Sequence, residues 1–97
     1  MATPASTPEG AATAALRVSV ITPEATLFEG EADEVVAPAY NGSMGILRGH
    51  APLMALLGTG TLRIDRGASS KSFAVSGGFL QVVDDTVTVL SESATAA

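Results

Sequence analysis

The chain has no cysteine. Disulfides are excluded, and thiolate metal sites with them. A small domain without such staples depends on good packing, or on a partner that completes it. Positive charge is scarce: five Lys and Arg stand against ten Asp and Glu. Nucleic-acid binding needs clustered positive charge to displace counterions, so that class is set aside. No apolar run reaches the roughly 20 residues that a membrane-spanning helix requires. The reading is a soluble protein whose membrane association, if it has one, runs through a complex.

The 97 residues allow one domain. Met1 to Ala15 contains only Ala, Thr, Pro, Ser, Gly and one Glu after its Met. Nothing there offsets the entropy of ordering, so residues 1–15 are read as a flexible tail. It lacks the features of a signal or transit peptide. The fold is expected over residues 16–94, with 95–97 as a short C-terminal tail.

From Leu16 onward the pattern is β. Leu16, Val18 and Val20 alternate with Arg17 and Ser19, which gives one apolar and one polar face. Leu62 and Ile64 alternate in the same way, as do Phe73 and Val75. Turns are expected at Thr22-Pro23-Glu24, Arg66-Gly67, Gly77-Gly78 and Asp84-Asp85. Asn41-Gly42 is the strongest hairpin signal, because both residues tolerate φ > 0. Pro38 belongs at an edge or a bulge, since it cannot donate to a ladder. The acidic stretch Glu31, Asp33, Glu34 is read as a solvated strand face. Pro52 to Leu57 is too short for an independent helix. Many short strands separated by turns predict an all-β sandwich or barrel.

Catalytic signals are weak. His50 is the one histidine, set between Gly49 and Ala51, and reads as a hydrogen-bonded loop residue. No serine sits in a Gly-x-Ser-x-Gly elbow: Asn41 precedes Ser43 and Ala74 precedes Ser76 where the first glycine belongs. One histidine and scattered carboxylates make a poor metal-ligand set. Asp84-Asp85 reads as a turn. Lys71, the only lysine, is not in a phosphate-cradling loop. Gly58-x-Gly60 is half a nucleotide fingerprint without the helix that would follow it. No catalytic residue, metal or cofactor is assigned.

The segment Gly42 to Leu53 stands out. Its glycines let the backbone turn tightly, Met44, Ile46 and Leu47 are apolar, and Pro52 stiffens the exit. A segment of this kind fits a protein contact surface or a glycine-rich core hairpin. The motif Gly42-x-Met44-Gly45-Ile46-Leu47-x-Gly49-His50-Ala51-Pro52-Leu53 resembles the signature of the epsilon subunit of F-type ATP synthases, called delta in mitochondria. Leu16 to Glu24, Leu27-Phe28-Glu29-Gly30 and Val35-Val36-Ala37-Pro38 resemble that family's preceding elements. Gly60 to Ile64, Phe73 to Val82 and Val87 to Ala94 follow in family order. Together the matches cover Leu16 to Ala94.

The resemblance implies a flattened β-sandwich of about ten short strands. It also implies a non-catalytic rotor subunit of the central stalk, between the gamma subunit and the membrane ring of c subunits. Such a subunit helps to transmit torque between proton flow and ATP synthesis. Carried over from the motif, the gamma-facing residues are His50, Ala51, Pro52, Leu53 and Ala55. The ring-facing loop is Asn41, Gly42, Ser43, Met44 and Arg48. For a bacterial source the implied location is the cytoplasmic side of the inner membrane, held peripherally through the complex. Arg48 stands where many family members have proline, and Ser43 where some have an acid. Most bacterial members continue into a C-terminal helical hairpin that can inhibit hydrolysis. This chain stops near where that hairpin begins, so the helical switch is expected to be absent from this molecule. Two other readings remain open to the sequence: a free-standing β-sandwich adaptor or ligand-binding module, and a small hydrolase using His50.

Overall fold

The computed structural model describes residues 15–97. The expected tail therefore lies outside the described residues, apart from Ala15. Eight strands follow: β1 (Leu16–Ile21), β2 (Thr26–Ala32), β3 (Glu34–Ala39), β4 (Gly42–Leu47), β5 (Leu53–Leu56), β6 (Thr59–Arg66), β7 (Ser69–Val83) and β8 (Thr86–Ala96). Their hydrogen-bonded order is β2-β1-β8-β7-β6-β3-β4, and β5 pairs with β7.

The count falls short of ten because β7 and β8 each serve twice. β7 is 15 residues long, and its first part, Ser69 to Ser76, pairs with β6. Its second part, Phe79 to Val82, pairs with β5. β8 pairs through Thr86 to Leu90 with β1 and runs on to Ala96 beside the first part of β7. Two layers result: β2, β1, the first part of β8, the second part of β7, and β5 form layer one. The second part of β8, the first part of β7, β6, β3 and β4 form layer two. Thr95 and Ala96 thus belong to a strand rather than to the expected C-terminal tail.

The bend sits at Gly77-Gly78, read from sequence as a turn but found as a kink within one strand. Both glycines have positive φ, 73° and 105°. A Cβ on Gly78 would fall on the Leu90 carbonyl oxygen and lie 2.8 Å from the Ser91 Cα. Only glycine fits there. Ser91 is buried opposite, and its hydroxyl lies 3.1 Å from the Gly77 carbonyl oxygen and 2.7 Å from that of Ser93. Its proton is thereby satisfied, as a buried hydroxyl requires.

Between the layers the period-two alternation closes a core. Leu16, Val18, Val20, Val35, Ile46, Leu62, Leu80, Val82, Val87 and Val89 are each at most 1% exposed. Burying each such side chain stabilises the fold by about 1.5–3 kcal/mol. Ile64, Phe73 and Val75 complete the expected inward positions. Met44 packs against this core and Leu47 does not.

The predicted turns are mostly found where the sequence puts them. Thr22 closes its turn through its amide to Ala25 O at 2.8 Å. Gly67 (φ 58°) turns β6 into β7. Asp84 and Asp85, at φ 50° and 58°, join β7 to β8 in a two-residue hairpin. The β3–β4 hairpin is shifted by one residue. Tyr40 and Asn41 form the turn between partners Ala39 and Gly42, and Gly42 alone carries a positive φ, 134°. Pro38 lies beyond Val36, where the β3–β6 pairing stops, so its missing N–H breaks no ladder.

Two layer crossings are fastened by carboxylates. The β2–β3 crossing is held where Asp33 accepts from the Gly67 amide at 2.6 Å and pairs with Arg66 at 3.5 Å. Asp33, one of the three acids of the expected solvated face, thus also holds a crossing while its side chain stays exposed. The β4–β5 crossing is held where the Asp85 carboxylate accepts from the Gly49 amide at 2.7 Å. The Asp85 carbonyl also accepts from the Arg17 amide at 2.8 Å.

Gly78→Ala is expected to cost at least about 3 kcal/mol, the sum of a left-handed alanine and a backbone clash. Gly49→Ala (φ 81°, open space around its Cβ) is expected to cost about 1–2 kcal/mol. Urea unfolding of the two variants side by side checks the order. Asp85→Ala should destabilise by about 1–2 kcal/mol. Its signature is faster amide exchange at Gly49, with exchange at Leu80 and Val89 following only the global stability.

Candidate functional site: the outward faces and the two loops

Inward positions are spent on the core, so any contact surface must use outward ones. On layer one, register partners lie on the same face. Ile21 pairs with Leu90, Leu90 with Phe79, and Phe79 with Leu56. These four form an apolar row running across β1, β8, β7 and β5. Met54 extends it along β5 and Val83 along β7. Leu56 and Met54 are each 65% exposed and Val83 is 40% exposed. Beside the row, a hollow of about 370 Å³ is lined by Ile21, Thr22, Pro23, Gly78, Phe79, Leu90, Ser91 and Glu92.

The outward face of layer two differs. Its rows include Thr61, Ala74 and Thr95, and Thr59, Ser76 and Ser93. Thr59 and Ser76 join their hydroxyls at 3.2 Å. Leu47, at 57% exposure, is its exception, next to Glu34. The outer face of layer one thus carries one apolar row beside polar residues such as Arg17, Ser19, Gln81 and Thr88, while most of the outer face of layer two is small and polar. Contiguous exposed apolar surface marks a contact site more often than scattered residues do.

The sequence-derived residues separate into two places. Asn41, Gly42 and Ser43 lie at the β3–β4 hairpin tip, and Tyr40 beside them is 80% exposed. Tyr40 donates its amide to Leu56 O at 2.8 Å, which joins the hairpin tip to the end of β5. Arg48 sits at the opposite end of β4. Five strand steps of roughly 3.3 Å separate Ser43 from Arg48. These residues do not form one loop.

Arg48 instead belongs with Gly49, His50, Ala51 and Pro52 in the β4–β5 crossing. His50 is half-buried, with its amide donating to Leu47 O at 3.2 Å. Its Nδ1 lies 2.7 Å from Ala51 O, so the ring is a hydrogen-bonded loop group. Ala51 and Pro52 are exposed. Leu53 and Ala55 are half-buried and pair with core residues Val82 and Leu80, so they face inward. Their neighbours Met54 and Leu56 face out. The unbroken run Leu53-Met54-Ala55-Leu56-Leu57 hid this alternation, since every residue in it is apolar. Met54 and Leu56 were therefore missed as outward residues, and the one sequence signal for them was an apolar run longer than a single buried face needs; Tyr40 and Phe79, outside that run, carried no signal of their own.

The family model described as ATP synthase, Delta/Epsilon chain, beta-sandwich domain matches residues 15–97. A protein of Leptospira borgpetersenii serovar Hardjo-bovis named ATP synthase epsilon chain is 49% identical over 77 residues, covering 79% of this chain and 61% of the relative. Another of that name, from Alkalihalophilus pseudofirmus, is 44% identical over 79 residues, covering 81% and 59%. The chain thus spans about three-fifths of the length of these curated relatives. Among solved structures, a chain of the Euglena gracilis mitochondrial ATP synthase (OSCP/F1/c-ring, rotational state 1) superposes with a TM-score of 0.80. That match has 20% identity and covers 99% of this chain and 62% of that one. A chain of the Tetrahymena thermophila mitochondrial ATP synthase central stalk/c-ring superposes with a TM-score of 0.69, also at 20% identity, covering 82% and 65%. These structures share its fold. The chain belongs to the ATP synthase delta/epsilon chain family, of which it carries the β-sandwich domain.

Proposed function

We propose that this domain works as a non-catalytic central-stalk subunit of a proton-transporting F-type ATP synthase. In this reading it joins the gamma subunit to the c ring and carries torque between them. The observation that carries the reading is the apolar row Ile21, Leu90, Phe79 and Leu56 on one outer face. A protein that stays in solution alone has little use for such a row, and a partner that covers it removes the cost.

Gamma covers the outward face of layer one. Met54 and Leu56 supply its exposed apolar contacts, and His50, Ala51 and Pro52 continue it from the β4–β5 crossing. Leu53 and Ala55 lie under that surface and shape it without touching gamma directly. The β3–β4 tip faces the ring with Tyr40, Asn41, Gly42 and Ser43. Met44 supports the tip from the core side. Arg48 lies with the gamma-facing residues, which replaces its assignment to the ring-facing loop. A single well-packed sandwich suits this role, because a rotor part must transmit displacement without yielding. The subunit would be held peripherally, on the cytoplasmic side of the inner membrane in a bacterium.

The test is binding to purified gamma by wild type and by the Met54→Ser/Leu56→Ser double variant. Both residues are exposed, so the isolated fold is expected to change by no more than about 0.5 kcal/mol per site. Affinity for gamma is expected to fall at least about thirtyfold, as for two residues of an interface core. Unchanged affinity in the folded variant would sink the docking assignment. Tyr40→Ala with Ser43→Asp should leave gamma affinity within about threefold while weakening capture by a detergent-solubilised gamma–c-ring complex. Equal loss in both assays would mean that the hairpin tip does not face the ring.

A further inference from the structure

The hydrogen-bonded path of strands ends in β2 on one side and in β4 on the other. An edge strand invites pairing with another chain, and folds blunt it with charge, bulges or short length. β2 is blunted: it carries Glu29 and Glu31, and its register against β1 shifts at Val20/Ile21. β5, the other edge of layer one, is four residues long, and Leu56 O already takes the Tyr40 amide. β4 has none of these devices. Gly42-Ser43-Met44-Gly45-Ile46-Leu47 holds no charge and no proline, and its register against β3 is unbroken.

Alternation along β3 fixes which groups of β4 are free. The Tyr40 amide donates to Leu56 O and Pro38 O accepts from the Gly58 amide, so these two residues point away from β4. Ala39, Ala37 and Val35 therefore point toward it and bond their partners Gly42, Met44 and Ile46. Ser43, Gly45 and Leu47 then aim their N–H and C=O groups at the open edge, and all three are exposed. Leu47 O accepts from the His50 amide. The other edge groups of these residues have no backbone partner among the described residues. Both ends of β4 are tied to β5: the tip through Tyr40 to Leu56, and the far end through the crossing that runs into Leu53. β4 and β5 thus border the same side of the sandwich. Met44 and Leu53, one on each border, pack on the core and are only half-buried.

We propose, resting on the reading of gamma as the partner of the layer-one face, that gamma supplies an extended strand that pairs with the free edge of β4. Met54 and Leu56 of β5 lie in the proposed gamma contact, and β4 is the next border on that side, so a partner seated on β5 is continuous with the edge. The added strand sets apolar side chains beside Met44 and Ile46 and covers Leu47, the exposed apolar exception on layer two, from its own outward face. Main-chain bonds to Ser43 and Gly45 give the pairing its hold, as in other strand additions. A second copy of this chain is a poorer occupant. The six residues of the edge bury far less than the roughly 1,200–2,000 Å² of a stable interface, and each copy carries a net charge of −5. Gamma adds the edge to a surface that it already covers.

The test is amide exchange of the full chain, alone and bound to purified gamma, read residue by residue. Alone, the Ser43, Gly45 and Leu47 amides are expected to exchange faster than those of Met44 and Ile46, which bond β3. Bound to gamma, the same three should slow by at least about tenfold. Gly45→Pro removes an N–H that points outward. Gly45 has no positive φ, and a Cβ there meets only the Glu34 Oε2 at 3.4 Å, so the fold should survive. Exchange at Leu80 and Val89 checks that it does. The affinity of Gly45→Pro for gamma should fall at least about tenfold, while Gly45→Ala, which keeps the N–H, should hold it within about threefold. Unslowed exchange at the three amides in a gamma complex that forms overturns the strand pairing and leaves the gamma assignment standing. Equal affinity of Gly45→Pro and wild type does the same. Slow exchange at these amides in the chain alone also overturns the pairing, because another segment or a second copy would already hold the edge. Failure of the wild type to bind gamma overturns both assignments.

Discussion

The kink at Gly77-Gly78 is the constraint from which the rest of the architecture follows. It lets one strand belong to both layers, and β8 follows it because the two are paired on either side of the bend. The conformation there is open only to glycine, and the Leu90 carbonyl leaves no room for a side chain. The buried Ser91 hydroxyl then ties the partner strand to the same corner. Two further close approaches complete it. The Gly58 amide donates to Pro38 O at 2.8 Å, and the Leu57 amide to Gly78 O at 2.9 Å. A Cβ on Gly60 would lie 2.9 Å from the Pro38 Cβ. The glycines thus let backbone pack on backbone at Gly58 and Gly78 and on the Pro38 ring at Gly60, which is how about eighty residues close two layers without a staple. The kink also sets where β5 can pair, and β5 carries the most exposed apolar contacts of layer one.

Much of this was legible from the sequence, for a physical reason. Strands with one wet face alternate, so Leu16 to Val20, Leu62 to Ile64 and Phe73 to Val75 announce both their type and their inward side. Turns that need φ > 0 announce themselves through Gly67. What failed had one of three causes. Gly77-Gly78 has the chemistry of a turn, but that chemistry only permits positive φ. Whether the chain reverses or bends depends on partners far away in sequence. Asn41-Gly42 failed by one residue for a similar reason: Gly42 takes the positive φ alone, and Tyr40 enters the turn. In Leu53 to Leu57 all residues are apolar, so no alternation exists to be read, and only pairing with β7 shows that Met54 and Leu56 face out. Motif adjacency also misled. Asn41 and Arg48 are close in sequence but are held apart by β4, an extended strand.

The β4–β5 segment shows how a recognisable motif and a contact surface can differ. Gly49 adopts a positive φ and gives its amide to Asp85. His50 gives its amide to Leu47 and holds the Ala51 carbonyl through its ring. Pro52 then delivers the chain into β5 with φ fixed. Each of these residues sets the path of the crossing from layer two to layer one. An error of one residue in that path would shift β5 against β7 and exchange Met54 and Leu56 with Leu53 and Ala55. The apolar outer face would then lose its largest side chains to the core, and the core would gain an overpacked row. The most recognisable residues of the segment therefore set the register of β5, and with it which side chains of the plainer residues just downstream reach the outer face.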